Sequence, residues 1–247
     1  MSTNPTAACL VIGDEILSGR TQEANAAHLA KELNEVGIAL DEIRVVPDVE
    51  HRIITALNAL RAAHDYVFTS GGIGPTHDDI TADAVAKAFG LPIDVRSDAR
   101  AILQKHYDAT GQPLNDARLR MARIPDTAAL IHNPVSAAPG FVLENVYVLA
   151  GVPKIFKAML EGILPELIGG AKMLSATETL QMPEGEFAAA LGALDARFPT
   201  VSFGSYPFIT QTGLGVSIVA RSRDSEALSA AIEAVRQAAQ YLDSETP

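Results

Sequence analysis

The segment Gly71-Gly72-Ile73-Gly74-Pro75-Thr76-His77-Asp78-Asp79-Ile80-Thr81 packs three glycines into four positions just ahead of a helix-forming stretch. Glycines at that density let backbone N–H groups approach an anion closely, and a helix that begins after them turns its positive end the same way. Gly71, Gly72 and Gly74 are therefore candidate phosphate-binding positions. Thr69, Ser70 and Thr76 can add hydroxyl donors, and Thr81 stands at the helix start as a further candidate. A Gly-Gly pair also makes ordinary turns. What raises this one is its place, after an apolar strand and before a helix.

Charge changes the reading. Asp78 and Asp79 lie inside the same segment, and two more acidic loops follow strand-like runs: Gly13-Asp14-Glu15-Ile16-Leu17-Ser18-Gly19 and Val45-Val46-Pro47-Asp48. The plainer readings are helix-start acids for Asp14 and Glu15 and an N-cap for Asp48. Carboxylates gathered around a phosphate repel it, however, unless a divalent cation lies between them. Mg²⁺ binds through a few carboxylates plus phosphate oxygens. These residue types point to a metal-bridged phosphate rather than a bare anion hole. His77 has three roles open to it: metal ligand, phosphate contact, or hydrogen bond to the loop, with the first least favoured.

Two further segments are rich in small residues and proline: Asn133-Pro134-Val135-Ser136-Ala137-Ala138-Pro139-Gly140 and Gly151-Val152-Pro153. Both make turns, and both leave room for a flat ligand. Other chemistries lack their residues. There is no phosphate-loop lysine motif, no GxSxG elbow and no histidine pair at metal-ligand spacing in a helix. Ser18 and Ser136 have no evident partner base. His28, His51, His64 and His106 fall on or beside helices, where packing or surface roles suffice.

The elements that must position these loops alternate. Ala7–Ile12 is a continuous apolar run of buried-strand length. Asn25 is placed to cap a helix carrying Leu29, Leu33 and Val36 on one face and ending at Gly37. Residues 38–46 read as a second strand, Ile53, Ile54, Leu57 and Leu60 as a helix face, and residues 66–69 as a third strand. A helix over about 80–89 stops at Gly90. Ser97 is placed to cap the next, with Ile102, Leu103 and Tyr107 inward, and Asn115 the one after. Residues 128–131, 141–143 and 147–149 read as strands, with Glu144-Asn145 turning a hairpin, and a helix spans about 154–167.

Strands alternating with helices imply a mostly parallel sheet covered on both faces, an α/β fold of three αβα layers. Gly169-Gly170 reads as a linker. Beyond it a strand over residues 177–182, a helix over 184–198, strands over 201–209 and 216–220 and a helix over 226–242 make a small βαββα, α+β unit. The expected domains are thus residues 1–170 and 171–247.

Composition sets the outer bounds. The chain has 247 residues, 48% of them hydrophobic, which is ample for a packed core. A net charge of −11 repels nucleic acid on average, and no basic-aromatic stripe overrides it. No apolar run is long enough for a bilayer and no signal peptide is visible, so neither membrane nor export is expected. The single cysteine, Cys9, sits in an apolar run, reads as a small buried hydrophobe and suits a reducing cytoplasm.

Taken in order, Gly13-Asp14-Glu15-Ile16-Leu17-Ser18-Gly19, Asn25, Asp48, the 71–81 segment, Met121-Ala122, Asn133-Pro134, Ala138-Pro139-Gly140 and Gly151-Val152-Pro153 resemble the molybdopterin-binding-like domain of the competence/damage-inducible (CinA) family. The same domain is similar to the one fused to some eukaryotic FAD synthetases. The resemblance covers roughly residues 6–167, and the βαββα tail resembles the small domain that follows this module in that family. It implies a metal-dependent hydrolysis of the pyrophosphate in ADP-ribose, FAD or a related dinucleotide. Asp48 and Asp79 match the acidic residues assigned to metal and catalysis in molybdopterin relatives, with Glu15 and Asp78 as further metal ligands. Gly71, Gly72 and Gly74 match their phosphate loop.

Gly13, Asp14, Asn25, Asn133, Pro139, Gly140 and Gly151 are the pocket residues this implies. The implied cofactor is a divalent metal (Mg²⁺, Mn²⁺ or Co²⁺), the partner a nucleotide or pterin phosphate, and the assembly a homo-oligomer. Two departures stand out: Ala24 replaces a threonine common before Asn25, and Ala150 a proline common before Gly151. The nicotinamide-nucleotide deamidase domain of longer members is not expected within these residues. Two other readings remain open, molybdopterin binding or adenylyl transfer, and a non-catalytic nucleotide-binding or assembly module.

Overall fold

The structure, a computed structural model, describes residues 4–210 and 213–245. The chain divides into two compact units between Gly170 and Ala171.

In the first unit, β1 (Thr6–Ile12), β2 (Ala39–Val46) and β3 (Tyr66–Ser70) alternate with α1 (Asp14–Leu17), α2 (Asn25–Glu35) and α3 (Glu50–Ala63). Then come α4 (Thr81–Phe89), β4 (Ile93–Val95), α5 (Ser97–Thr110), α6 (Asp116–Leu119) and β5 (Arg123–Pro125). The unit closes with β6 (Ala129–Ile131), β7 (Gly140–Leu143), β8 (Val146–Leu149) and α7 (Pro153–Ile163). The main sheet has the order β2-β1-β3-β8-β7-β6. β1 pairs in parallel with β2 and β3, and β3 with β8, while β7 and β6 run antiparallel at one end.

Side-chain alternation along β1 splits its apolar run between two cores. Ala8, Leu10 and Ile12 face α3, α4 and α5, whereas Ala7, Cys9 and Val11 face α2 and α7. This two-sided burial is why the run reads as continuously hydrophobic. It also makes the fold the αβα sandwich expected from the alternation.

Because β2 lies on one side of β1 and β3 on the other, the chain reverses direction across the sheet at β1. In open α/β sheets such a switch point opens a crevice beyond the carboxyl ends of the strands. Ile12 pairs with Val46, Val11 with Ser70, and Ser70 with Leu149, so four strands end at one level. The loops at 13, 47–48, 71–74 and 150–151 all leave from that edge.

Several expectations change. Neither Asn25 nor Ser97 is an N-cap: those positions fall to Ala24 and Arg96, and the Glu23 carboxylate accepts from the N–H groups of Asn25 and Ala26 instead. Asn115 does cap its helix, accepting from the Arg118 N–H. Ile102 faces solvent and Leu103 carries the packing. The pair β4–β5 was not expected, for three-residue strands give no periodic signal. Gly169 and Gly170 pack against the end of α2, where the Gly170 N–H reaches the Val36 carbonyl at 3.1 Å.

The second unit is the expected βαββα: β9 (Leu174–Leu180), α8 (Glu184–Arg197), β10 (Ser202–Thr210), β11 (Gly213–Ser222) and α9 (Ser225–Glu245). Its antiparallel sheet has the order β10-β11-β9. Leu180, Phe187, Val216, Ile218 and Val235 form its core.

Candidate functional site

The glycine loop is built by close approach. Gly71 takes φ +108° and its Cα lies where a Cβ would meet the Ile12 carbonyl oxygen at 2.2 Å. Gly72 takes φ +68°, and a Cβ there would meet the Thr81 hydroxyl at 2.1 Å. Only glycine fits either position. The Gly71 N–H still reaches the Leu149 carbonyl, and the Gly72 carbonyl accepts from the Thr81 N–H. Among the described residues, no acceptor takes the N–H groups of Gly72, Ile73 and Gly74. Three successive open donors beside the start of the nine-residue α4 are the groups an anion would need.

Thr76, Asp79 and Thr81 are spent on the loop itself. The Asp79 carboxylate accepts from the Thr76 N–H at 2.7 Å and the Thr76 hydroxyl at 2.5 Å. Local bonds of this kind fix turns. The Thr81 hydroxyl is fully buried and donates to the Gly71 carbonyl. The expectation that Thr76 and Thr81 offer free phosphate donors is therefore corrected: both close the loop. Asp79, expected beside a metal, braces it. His77 is almost wholly exposed, with the Asp78 carboxylate 3.9 Å from its ring nitrogen.

Asp48 is the centre of the acidic side. It caps nothing, since Val49 holds the N-cap position of α3. Its carboxylate instead accepts from the Asp14 N–H at 2.9 Å, tying the loop after β2 to the loop after β1. Burial, above all, pushes its pKa up; the Asp14 N–H opposes this, and the charges of Asp14, Glu15 and Asp78 push it further up. Four carboxylates thus share one electrostatic neighbourhood. Among the described residues, however, no three His, Cys, Asp or Glu side chains converge on a point where a metal ion could sit. The expected ligand set of Asp48, Asp79, Glu15 and Asp78 does not form a preassembled cage: Asp79 is turned to Thr76, and the other three carboxylates do not meet at one point either.

Asn25 lies on the opposite flank of the glycine loop, in a small cavity shared with Glu15, Ser70, Gly71 and Gly151. It is only 4% exposed. Its amide nitrogen donates to the Ser70 hydroxyl at 2.8 Å and the Gly151 carbonyl at 2.7 Å. That carbonyl requires a donor, so the amide orientation is fixed. The side-chain oxygen is left buried without a partner. Gly151 comes against Gly71, with 3.1 Å between its Cβ position and the Gly71 Cα.

The remaining expected pocket residues divide. Gly13 bonds the Val46 carbonyl through its N–H and sets Asp14 and Glu15 at the strand end. Pro139 lines a cleft with Gly72 and Gly74. Gly140 is buried where a Cβ would strike the Val148 carbonyl, a packing reason for glycine. Asn133, only 2% exposed, spends its whole amide on Val135, Ser136 and Ala138 and holds its own loop together.

One residue that sequence reasoning did not single out stands at the loop. Arg120 lines the Pro139 cleft, its guanidinium 3.5 Å from the Asp79 carbonyl and its buried Nε without an acceptor. In sequence it is one of two arginines around Leu119, with nothing to mark it.

With this geometry in hand, the chain compares with known proteins as follows. Residues 8–169 match the family described as a probable molybdopterin binding domain, and residues 172–243 match the FAD synthase middle domain. A protein of Pyrobaculum calidifontis is 35% identical over 82% of this chain and 81% of its own length. A CinA-like protein of Myxococcus xanthus is 31% identical over 91% of this chain, which spans 56% of that relative. The crystal structure of CinA from Thermoplasma acidophilum, described as of unknown function, superposes with a TM-score of 0.62 at 35% identity, covering 67% of this chain and 99% of that one. No helix among the described residues is long and apolar enough to cross a membrane.

Proposed function

The chain belongs to the CinA-like family built on a molybdopterin-binding-type domain, and from that premise we propose that it is a divalent-metal-dependent pyrophosphatase of ADP-ribose, FAD or a related dinucleotide. The observation that carries the reading is one juxtaposition. Three N–H groups at Gly72–Gly74 without an acceptor lie in a loop that leaves the same sheet edge as the acidic neighbourhood of Asp48. The donors call for a phosphate, and the carboxylates reject one unless a cation intervenes.

The donor set fits a cation that arrives with its phosphate. Mg²⁺ characteristically takes one or two carboxylates and fills the rest of its shell with phosphate oxygens and water. Asp48 is the anchoring carboxylate, with Glu15 or Asp78 in reach of the same charge. Its ionisation is opposed first by burial and then by like charges, and a cation beside it would relieve that strain. Once bound, the cation neutralises phosphate charge and makes phosphorus a better electrophile.

The chain's own residues do the positioning. The N–H groups of Gly72, Ile73 and Gly74 hold the oxygens of one phosphate. Asp79, Thr76 and Thr81 keep those donors aimed by locking the loop. Water then forms a bond to one phosphorus as the bridging P–O bond breaks in line, and ADP-ribose yields AMP and ribose 5-phosphate.

The FAD synthase middle-domain match favours a flavin dinucleotide as substrate, and the molybdopterin-domain match favours a pterin phosphate as a second reading. Purified protein incubated with ADP-ribose, FAD and other dinucleotides, with Mg²⁺, Mn²⁺ or Co²⁺, is expected to release AMP from at least one. Absence of AMP with every pair sinks the hydrolase reading. ATP-dependent adenylylation of a tightly bound pterin would replace it with the second.

A further inference from the structure

Arg120 sits on the short 3-10 turn Arg120–Ala122 that follows α6, and its side chain reaches back to the glycine loop. The cleft it lines also holds Gly72, Ile73, Gly74, Asp79, Asp83 and Arg123. The charges there are unevenly paired. Arg123 and Asp83 form a 2.5 Å ion pair and neutralise each other. Asp79 turns its carboxylate to Thr76. Among the described residues Arg120 has no carboxylate partner, makes one 3.5 Å contact to a backbone carbonyl, and has a buried Nε with no acceptor.

In a chain of net charge −11, a half-buried guanidinium left without an anion needs a reason. Burying a charged donor unpaired is costly, and arginine's fork matches two phosphate oxygens. An anion from outside the described residues would supply that partner. The neighbouring N–H groups of Gly72, Ile73 and Gly74 are short of an acceptor in the same place.

We propose that Arg120 binds the phosphate that rests on the glycine loop, from the flank away from Asn25 and Glu15. The ligand class is a phosphate or diphosphate, held by backbone donors and one guanidinium on this flank. This rests on the reading of the loop as a phosphate cradle, and goes beyond it by assigning the side chain that holds the anion.

Calorimetry with inorganic pyrophosphate and Mg²⁺ on the full chain tests it. Arg120→Gln is expected to bind roughly tenfold to a hundredfold more weakly than the unaltered protein, the usual size of a lost charge-assisted contact. Arg120→Lys, which keeps the charge, should recover part of that loss, whereas a purely structural role would not track charge. Arg100→Gln, an exposed arginine on α5, should bind as the unaltered chain does. If Arg120→Gln does not fold, pyrophosphate should protect Arg120 of the unaltered protein from phenylglyoxal, read by peptide mass spectrometry. Unchanged affinity in Arg120→Gln, or no protection, overturns the role of Arg120 and leaves the cradle standing. No binding of pyrophosphate to the unaltered chain overturns the cradle and Arg120 together.

Discussion

The Asp14 N–H donates to the Asp48 carboxylate at 2.9 Å, and the Asp14 carboxylate, on the same residue, repels it. The bond fixes Asp48 at the crevice edge while burial, and after it the surrounding charges, resist its ionisation. A carboxylate positioned and destabilised together is suited to a cation, because the geometry is ready and the charge is unmet.

The folded pKa of Asp48 lies above its unfolded value, so its favourable contribution is present at low pH and is lost as pH rises through the folded pKa. At pH 7 ionised Asp48 destabilises the first unit. Asp48→Asn keeps the acceptor for the Asp14 N–H and removes the charge. Its melting temperature at pH 7 is expected to rise by about 1–3 °C, kept small by solvent screening of a partly exposed group. The gain should vanish as pH falls towards 4. A lower melting temperature at pH 7 would contradict this electrostatic account.

Glycine substitutions separate backbone need from simple turn content. Gly71→Ala must adopt φ +108° with a Cβ 2.2 Å from a backbone carbonyl, whereas Gly19→Ala takes φ +72° in open space. Gly19→Ala is expected to cost about 1–2 kcal/mol, the left-handed penalty alone. Gly71→Ala should cost at least about 2 kcal/mol more, since the obstruction is backbone that cannot swing aside. Urea unfolding of both variants checks the order; equal losses would show that the loop relaxes freely.

Asn25 should behave as a structural clamp with one free end. Asn25→Ala leaves the Gly151 carbonyl and the Ser70 hydroxyl without their donor. The buried Ser70 hydroxyl then costs roughly 1–3 kcal/mol, whereas Gly151 is exposed and water can take the place of the lost donor. Asn25→Asp should be worse, setting a carboxylate against a carbonyl oxygen. Chemical denaturation should rank the unaltered chain above Asn25→Ala and that above Asn25→Asp.

Cys9 should be inert in the folded protein. It is fully buried on β1, and burial, reinforced by the charge of Glu23, pushes its thiol up to about 12. Reactivity follows the thiolate, so almost none is present at pH 8. Iodoacetamide is expected to leave Cys9 unmodified in the native state and to label it in 6–8 M urea, conditions chosen to unfold most domains of this size. Prompt native labelling would mean that β1 opens far more readily than its burial implies.

What the sequence made legible was what lies close along the chain. The run Ala7–Ile12 announced a strand buried on both faces, and the spacing of Leu29, Leu33 and Gly37 announced a helix and its end. Gly71, Gly72 and Gly74 were visible because strand, glycines and helix are contiguous. The βαββα unit followed from the same local patterns.

Tertiary partners were not legible. Asn25 looked like a cap but turns inward to Gly151, which lies 126 positions away. Asp79 looked like a metal ligand, yet the Thr76 to Asp79 spacing carried a local signal for the bond that turns it into the loop. Arg120 is notable only for the acid it does not meet, which no inspection of its neighbours in sequence reveals. β4 and β5 are too short for periodicity, and only the pairing of residues 93–95 with 123–125, extended by the Arg96 N–H to the Ala122 carbonyl, makes them strands.

In the proposed function, Asp48 and the glycine loop would share a diphosphate only with a divalent cation present. The direct measurement is calorimetric binding of α,β-methylene ADP-ribose, which resists hydrolysis, to the full chain with Mg²⁺ and with EDTA, and to Asp48→Asn with Mg²⁺. Binding is expected only with the cation, and is expected to weaken roughly tenfold or more in Asp48→Asn. Equal affinity in EDTA, or in Asp48→Asn, would contradict the cation bridge.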